Sequence, residues 1–305
     1  MRSSVEPIFS STRSIDHIPV EVWKEHICYK FLNLTELSIL RRCHTFFEKY
    51  WQNMMAQNVI RVPQGCPTVQ KAMDLAVIFS ERKEYTTDDP LKIRLDEGVH
   101  ETVGKRLNVT CSHITFVGSG KDQTTIRGGF NVVNQQDVKF EELTITNQSG
   151  NGIGLRLHGS ETNVDVLKCV VKECEWTGMS VHSGATVTAT QCEFMENGGN
   201  GVYCGSDKTA RLDDCQMHHN GGHGLWAFNR AVVDLHGTTM DFHSNKRDGI
   251  RASSRAKVNI HLPSQHNTSH DNIGEDRRQI SGGSIANINA DGTFTHAVVE
   301  EEDEH

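Results

Sequence analysis

Short runs of alternating apolar and polar positions recur through the middle of this chain, for example at residues 187–192 and again at 210–215. Alternation with a period of two predicts β-strands, and the interval between runs leaves no room for a helix. Written from a glycine, two consecutive units read GMSVHSGATVTATQCEFMENGGN and GVYCGSDKTARLDDCQMHHNGGH. We predict two short strands in each unit, separated by turns.

A glycine followed by an apolar residue begins each unit, at Gly152, Gly178, Gly201, Gly224 and Gly249. The intervals are 26, 23, 23 and 25 residues, and a nearly fixed period of this size is typical of a solenoid. About 23 residues at roughly 3.3 Å each complete one lap of a three-sided coil, and successive laps then lie about 4.8 Å apart, as strands do in a parallel sheet. The pattern therefore predicts a parallel β-helix.

Two further columns keep the same period as the glycines. Small apolar side chains, which we expect to point into the core, occupy Cys169, Cys192 and Cys215. Amides that can pass hydrogen bonds from lap to lap occupy Asn197, Asn220 and Asn245. The glycines are expected at corners, where they permit backbone angles that a side chain forbids.

Residues 15–56 follow a different pattern, in which apolar side chains recur at helical spacing. Pro19 suits the start of one helix and Thr35 the cap of a second. Two or three short helices in about forty residues bury too little surface to be stable alone, so part of their apolar face is expected to cover another surface. We predict a helical docking module here.

The remaining segments are assigned around these two. Residues 57–90 are predicted to be a linker and an N-terminal capping helix, in which Thr68 precedes apolar positions 69, 72, 73 and 76 and the helix covers the first lap. The β-helix is predicted over 91–284, followed by closing strands over 285–299 around a turn at 289–292. Residues 1–14 are predicted to be disordered, and 300–305 form an acidic tail.

Composition limits the functions available. At 305 residues, 36% hydrophobic with 6 prolines, the chain is expected to be folded, and a net charge of -8 argues against a nucleic-acid ligand. No apolar signal core or membrane-length run is present, so we expect a soluble cytoplasmic or nuclear protein with no membrane partner. The 9 cysteines are expected to remain thiols in a reducing compartment. No cofactor is predicted.

The segment from Ile18 to Trp51 resembles an F-box. The resemblance is carried by Ile18-Pro19-x-Glu21-Val22-Trp23 and by Leu40-Arg41-Arg42 with Thr45-Phe46-Phe47, although F-boxes usually have Leu before the proline and often Val-Cys where this chain has Arg42-Cys43. It implies binding to the Skp-type adaptor of a ubiquitin ligase and, through that adaptor, to a cullin. The residues expected to contact the adaptor are Ile18, Pro19, Val22, Trp23, Ile27, Phe31, Leu37 and Leu40. A helical cap that serves only the solenoid is the alternative.

Residues 93–101, 114–126 and 138–146 resemble the opening laps of pectin-lyase-like β-helices, which implies a right-handed coil. The two halves together resemble F-box proteins that carry a β-helix of the carbohydrate-binding and sugar-hydrolase repeat type. The expected fold is mainly β, a right-handed single-stranded parallel β-helix preceded by a small all-α F-box-like module. The expected function is a substrate-recognition adaptor of a cullin-RING ubiquitin ligase, whose β-helix binds a protein substrate that can carry glycans.

The pectin-lyase-like resemblance requires a search for an active site. Glycoside hydrolysis needs two facing carboxylates. Asn200 and Thr177 stand where polygalacturonases place aspartates, and the neighbouring Asp213 and Asp214 would point to opposite faces of a strand. We therefore predict a non-catalytic protein. A carbohydrate-binding or carbohydrate-active β-helix, either a lyase or a hydrolase, is the alternative function.

One set of side chains is a candidate substrate-binding surface. Trp226 falls in line with Tyr203 one lap earlier, and the set comprises Tyr203, His223, Trp226, Phe228 and Arg251. Period-two alternation does not decide whether Trp226 and Phe228 face solvent or the core. His218, His219, His223 and His243 are candidate metal ligands, since stacked laps bring such rings together, but no metal is predicted.

Overall fold

The structure is a computed structural model, in which residues 52–205, 209–261, 268–289 and 292–296 are described. The chain divides into two units, Met1–Gln57 and Asn58–His305. Of the first unit only residues 52–57 are described, and they are helical. The F-box-like segment, with all eight predicted adaptor contacts, lies outside the described residues.

The second unit is a right-handed parallel β-helix of about 8 turns, which confirms the predicted fold class. A complete turn contains three strands, whereas the alternation predicted two. The additional strand begins just after the cysteine in the three turns that contain Cys169, Cys192 and Cys215, and it has only three residues in most turns, for example Glu193–Met195.

Eleven strands form one sheet, called here the first sheet. In spatial order they are β1 (Val59–Val62), β2 (Leu91–Leu95), β4 (Ile114–Val117), β6 (Val138–Glu141), β9 (Asn163–Leu167), β12 (Thr186–Thr190), β15 (Thr209–Asp213), β18 (Val232–His236), β21 (Lys257–Ile260), β24 (Ser284–Ile288) and β25 (Phe294–His296). All neighbours are parallel except β24 and β25, whose antiparallel pairing confirms the predicted closing hairpin. β1 lies inside the segment predicted as a linker and already pairs with β2.

The other fourteen strands form a sheet that is divided into two faces by the long strand β5 (Thr124–Val133), which also pairs with β3 (Gly98–Val109). One part, called the Trp226 face, contains β8 (Leu155–His158), β11 (Met179–His182), β14 (Val202–Gly205), β17 (Leu225–Ala227), β20 (Ile250–Ser253) and β23 (Arg277–Ile280). The other, called the histidine face, contains β7 (Thr144–Thr146), β10 (Val170–Lys172), β13 (Glu193–Met195), β16 (Gln216–His218), β19 (Asp241–His243) and β22 (Ser269–His270).

One helix, α1 (Val69–Ser80), covers the first turn by contacting β1, β2 and β3. The side chain of Thr68 accepts a hydrogen bond from the Lys71 backbone N–H at 3.2 Å, which confirms the predicted cap. The predicted apolar positions are buried, together with Leu75 and Phe79. Among the described residues, no helix has the length and apolar character needed to cross a membrane.

The core consists of columns of side chains that repeat from turn to turn. Phe116, Phe130 and Phe140 pack with ring centroids 4.7 to 5.2 Å apart near the first turns. The predicted cysteine column is buried at 0 to 2% exposure, and its thiols are free. Burial raises the pKa of the Cys169 thiol well above its usual value, so this side chain behaves as a small apolar residue.

The asparagine column forms the predicted ladder. Asn197 Nδ2 donates to Asn220 Oδ1 at 3.0 Å, and Asn220 Nδ2 donates to Asn245 Oδ1 at 2.9 Å. The ladder continues to Asn272, again at 2.9 Å. Cys174 occupies the same column one turn before Asn197, and its backbone N–H donates to Asn197 Oδ1.

The glycine column needs two corrections. Leu155 pairs with Met179, so Gly154 and not Gly152 precedes Gly178 in the column. In addition, none of the glycines 178, 201, 224 and 249 has a positive φ. They are needed for space, because a Cβ on Gly201 would lie 2.8 Å from the carbonyl oxygen of Gly224 in the next turn.

Candidate ligand-binding face

The register of the Trp226 face brings together three of the predicted surface residues. Tyr203 pairs with Trp226, which pairs in turn with Arg251, on β14, β17 and β20. Leu225 and Ala227 are fully buried, so the alternation of the strand places Trp226 on the outward face. The structure thus shows that Trp226 faces outward, which the sequence alone did not decide.

The aromatic rings of this face contact one another edge to face. The ring centroid of Trp226 lies 5.3 Å from that of Tyr203 and 5.8 Å from that of Phe228, and all three side chains are half-buried. The indole Nε1 of Trp226 donates to Ser253 Oγ at 2.9 Å, which fixes the ring. Gly205 leaves the space that Tyr203 occupies, because a Cβ there would lie 2.5 Å from the Tyr203 hydroxyl. The result is a rigid outward-facing aromatic platform.

A cation lies beside this platform. The guanidinium carbon of Arg251 is 5.6 Å from the Trp226 ring centroid, within the range of a cation–π interaction. Arg251 Nη1 is also 3.8 Å from Asp248 Oδ2 and 3.4 Å from His223 Nε2. The guanidinium is therefore held between the indole and a buried polar pair.

His223 differs from its predicted role as a surface residue. Its side chain is only 2% exposed, because the turn between β16 and β17 folds it inward against Asp248, which is 3% exposed. His223 Nδ1 lies 3.2 Å from Asp248 Oδ2 and 3.1 Å from the Asp248 backbone nitrogen. Its ring centroid is 5.6 Å from that of Trp226. His223 thus supports the platform from beneath and is too buried to form part of the contact surface.

Asp248 stays ionised although it is buried. Burial alone would raise the pKa of this carboxyl, but the adjacent His223 ring, the hydrogen bond that Asp248 Oδ1 accepts from the Glu275 backbone N–H and the nearby Arg278 guanidinium together lower the pKa below its usual value. Arg278 Nη1 lies 4.0 Å from Asp248 Oδ1. The carboxylate therefore anchors two arginines at this end of the face.

The histidine face carries a different cluster. The rings of His218, His243 and His270 stack in parallel with centroids 4.8 and 5.3 Å apart, and His219 meets two of them edge on. Of the four histidines that are candidate metal ligands, the structure brings together His218, His219 and His243, whereas His223 lies outside this cluster. Within the part of the chain that the structure describes, no group of three or more His, Cys, Asp or Glu is arranged to hold a metal ion.

The two adjacent aspartates considered for catalysis have separate structural contacts. Asp213 pairs with Arg211 at 2.8 Å on β15. Asp214 has φ 49° and accepts hydrogen bonds from the backbone N–H groups of Thr239 and Thr238, which lower its pKa. Asp214 therefore shapes a turn.

Ser253, Asp248 and Arg278 belong to the same cluster and were missed from the sequence. Asp248 is visible in the sequence as part of Arg247-Asp248-Gly249. Arg278 follows Arg251 by 27 residues, outside the 23-residue period that identified the other columns. A period allowed to vary with the length of each turn would have found it.

Comparison with known proteins identifies the fold. The sequence profile of the right-handed β-helix region matches residues 96–216. No curated protein matches the sequence. The Agl-KA catalytic domain is structurally similar, with a TM-score of 0.50 at 14% identity over 73% of this chain and 46% of that chain.

Two other solved structures are more distant. The A-module of the mannuronan C-5 epimerase AlgE4 from Azotobacter vinelandii has a TM-score of 0.49 at 13% identity, covering 74% of each chain. The pectin methylesterase PemA from Erwinia chrysanthemi has a TM-score of 0.46 at 11% identity, covering 78% of this chain and 84% of that chain. At these identities the similarity shows the right-handed β-helix fold alone.

Proposed function

We propose that the β-helix is a non-catalytic binding module for an extended carbohydrate, which lies along the outward row of the Trp226 face. The observation that carries the proposal is the platform of Tyr203, Trp226 and Phe228 beside the Arg251 guanidinium. Aromatic rings present flat apolar surfaces, and a pyranose ring has an apolar face of C–H groups that suits them. Arg251 adds donors for hydroxyl or acidic groups.

The geometry of the face suits a chain better than a compact ligand. Tyr203 and Trp226 lie one above the other in successive turns, which are separated by about 4.8 Å. This separation is close to the length of one sugar unit, so successive sugars can meet successive turns. The wall of a solenoid offers such a row over many turns.

The names of the structural neighbours refer to mannuronan and pectin. Since similarity at this level carries the fold alone, the proposed ligand class depends on the aromatic platform of this chain. The buried His223–Asp248 pair is assigned a supporting role, because it fixes Arg251 while remaining out of reach of a bound chain.

The test is binding of the full chain to a panel of neutral and acidic polysaccharides, measured by affinity electrophoresis and calorimetry. We expect Trp226→Ala to weaken binding about tenfold or more, because a central aromatic anchor contributes at least 1 to 2 kcal/mol. His236→Ala is the matched control, since this ring also faces outward but lies on the first sheet. Equal binding by wild type and Trp226→Ala would overturn the proposal.

A second candidate function concerns the other part of the chain. The F-box-like sequence from Ile18 to Trp51 favours a substrate-recognition subunit of a cullin-RING ubiquitin ligase. The two functions are compatible, because a ligase substrate can be a glycan-bearing protein. The test is co-purification with a Skp-type adaptor, comparing wild type with the Pro19→Ala/Trp23→Ala variant. Equal recovery of both would remove this candidate.

A further inference from the structure

The outward row that contains Trp226 extends to a second cluster near the N-terminal turns. Through the register of the sheet, Trp226 is aligned with Tyr203, Ser180, Arg156 and Asn131. Arg156 is three turns from Trp226, or about 14 Å along the helix axis. A ligand that follows this row from the platform reaches Arg156.

Arg156 on β8 and Arg106 on β3 carry positive charges that form no ion pair among the described residues, and Arg106 is aligned with Gly129, two residues before the Asn131 of this row. The Arg106 side chain is half-buried, and its Nη1 is buried with no hydrogen-bond partner among the described residues. Burial and the charge of Arg156 lower the pKa of Arg106. Within the described part of the chain Arg156 has no ion-pair partner, whereas Arg127, on the neighbouring strand, pairs with Glu101 at 3.3 Å.

An acceptor next to these arginines is also unused. Asn131 Nδ2 donates to Asn108 Oδ1 at 2.9 Å, but Asn131 Oδ1 is buried and has no donor among the described residues. An unsatisfied buried polar atom costs about 1 to 3 kcal/mol. The cluster therefore offers guanidinium donors that lack an acceptor and an amide oxygen that lacks a donor.

We propose that Arg106 and Arg156 form an oxyanion subsite of the Trp226 face, with Asn131 accepting a hydroxyl group, so that the ligand is a carboxylated or sulfated polysaccharide. This inference rests on the proposed carbohydrate-binding function and specifies its ligand. A sugar with an acidic substituent supplies both missing partners, an anionic oxygen for the guanidinium groups and a hydroxyl for Asn131 Oδ1. A phosphorylated peptide supplies the anion but fits the aromatic platform less well.

The experiment uses ligands with one backbone and different charge. β-1,4-Glucan oligosaccharides of six to eight units, in neutral, 6-carboxylated and 6-sulfated forms, and a phosphoserine peptide are titrated into the full chain. Neutral and sulfated dextran provide a second backbone. The variants are Arg106→Gln, Arg156→Gln and Arg156→Lys, with Arg94→Gln as the control, since Arg94 is exposed on the first sheet.

We expect wild type and Arg94→Gln to bind an acidic form about tenfold more tightly than the neutral one, because a charge-assisted bidentate contact contributes about that factor. Arg106→Gln and Arg156→Gln should lose this preference without weakening neutral binding, and Arg156→Lys should keep part of it. The tighter of the two acidic forms distinguishes carboxylate from sulfate.

Three results would overturn the inference. Equal binding of neutral and acidic forms, or a preference that survives both Gln substitutions, removes the oxyanion subsite but leaves the carbohydrate-binding function. Binding of the phosphopeptide and of no glycan removes both proposals. Loss of neutral binding in Trp226→Ala, with no effect of the arginine variants on acidic ligands, likewise removes the oxyanion subsite while it supports the carbohydrate-binding function.

Discussion

At the scale of single residues, the glycines of the column are constrained by the backbone of the next turn. A Cβ on Gly201 would lie 2.8 Å from Gly224 O and 2.9 Å from Asn220 Nδ2. Neither atom can move without disturbing the sheet or the ladder. We predict that Gly201→Ala lowers the free energy of unfolding by about 1 to 3 kcal/mol, the usual cost of overpacking.

Urea denaturation of the full chain measures this change. Gly150→Ala is the control, because its added Cβ would find its nearest neighbours at 3.8 Å and the φ of Gly150 is not positive. We expect this variant to be neutral or slightly stabilised, since alanine restricts the unfolded chain. A urea midpoint of Gly201→Ala equal to that of the wild type would contradict the packing argument.

At the corner before each cysteine of the column, the left-handed backbone angle is adopted by a residue other than glycine. Lys168, Gln191 and Asp214, each immediately before a cysteine of the column, have φ values of 51, 53 and 49°. Asparagine, aspartate and glycine favour such angles, whereas lysine and glutamine do so rarely. At Lys168 and Gln191 the sequence therefore gives no signal for a left-handed corner, and the glycines 178, 201, 224 and 249 suggested the wrong position for it.

At the scale of an element, the asparagine ladder joins successive turns inside the core. Asn220 is fully buried, donates to Asn245 Oδ1 and Phe194 O, and accepts from Asn197. We predict that Asn220→Ala destabilises the β-helix by about 3 kcal/mol or more, since several buried partners lose their hydrogen bonds together.

The measurement is again equilibrium unfolding, supplemented by amide hydrogen exchange in the turns on either side. Asn163→Ala is the matched control, because Asn163 is exposed on β9 and takes no part in the ladder. A loss below 1 kcal/mol in Asn220→Ala would show that water or relaxation replaces the ladder. Faster exchange confined to the turn of Asn220 would support a local role.

The longer strands could be predicted from the sequence, whereas the shortest ones could not. The central strands of the first sheet, such as β12, have five residues with alternating burial, and the cysteine and asparagine columns gave their register. The strands of the histidine face are mostly three residues long, too short for alternation to be distinguished from a turn. Gly152 and Gly154 are only two residues apart. Because the length of a turn varies along the chain, the sequence period does not show which of the two belongs to the glycine column.

At the scale of the whole molecule, the Trp226 face was predictable where turns have equal length. Tyr203 and Trp226 are 23 residues apart and were aligned correctly. Arg278 was not predicted, because the last turns are longer than 23 residues. Arg156 was not predicted either, because the outward row was not followed to the N-terminal turns. The burial of His223 depends on Asp248 from the next turn, a contact that a single period does not reveal.

Stability is expected to fall between pH 7 and pH 5. Burial lowers the pKa values of His182, His236 and His243 below 6.5, and neighbouring cations or stacked rings lower them further. A folded-state pKa below the unfolded value means that protonation favours the unfolded chain, so stability present above pH 6.5 is lost as the pH falls through this window. His270 has the opposite shift, because Asp271 raises its pKa, and it contributes stability that is present below pH 6.5.

Urea midpoints measured between pH 5 and pH 7.5 test this balance between three histidines with a lowered pKa and one histidine with a raised pKa. His243→Gln should flatten the dependence on pH, because it removes a ring that resists protonation between His218 and His270. His270→Gln should steepen it, since only the compensating group is lost. A wild-type midpoint that rises as the pH falls from 7 to 5 would contradict the assignment, and identical slopes in both variants would show that the stacked rings are not the source of the effect.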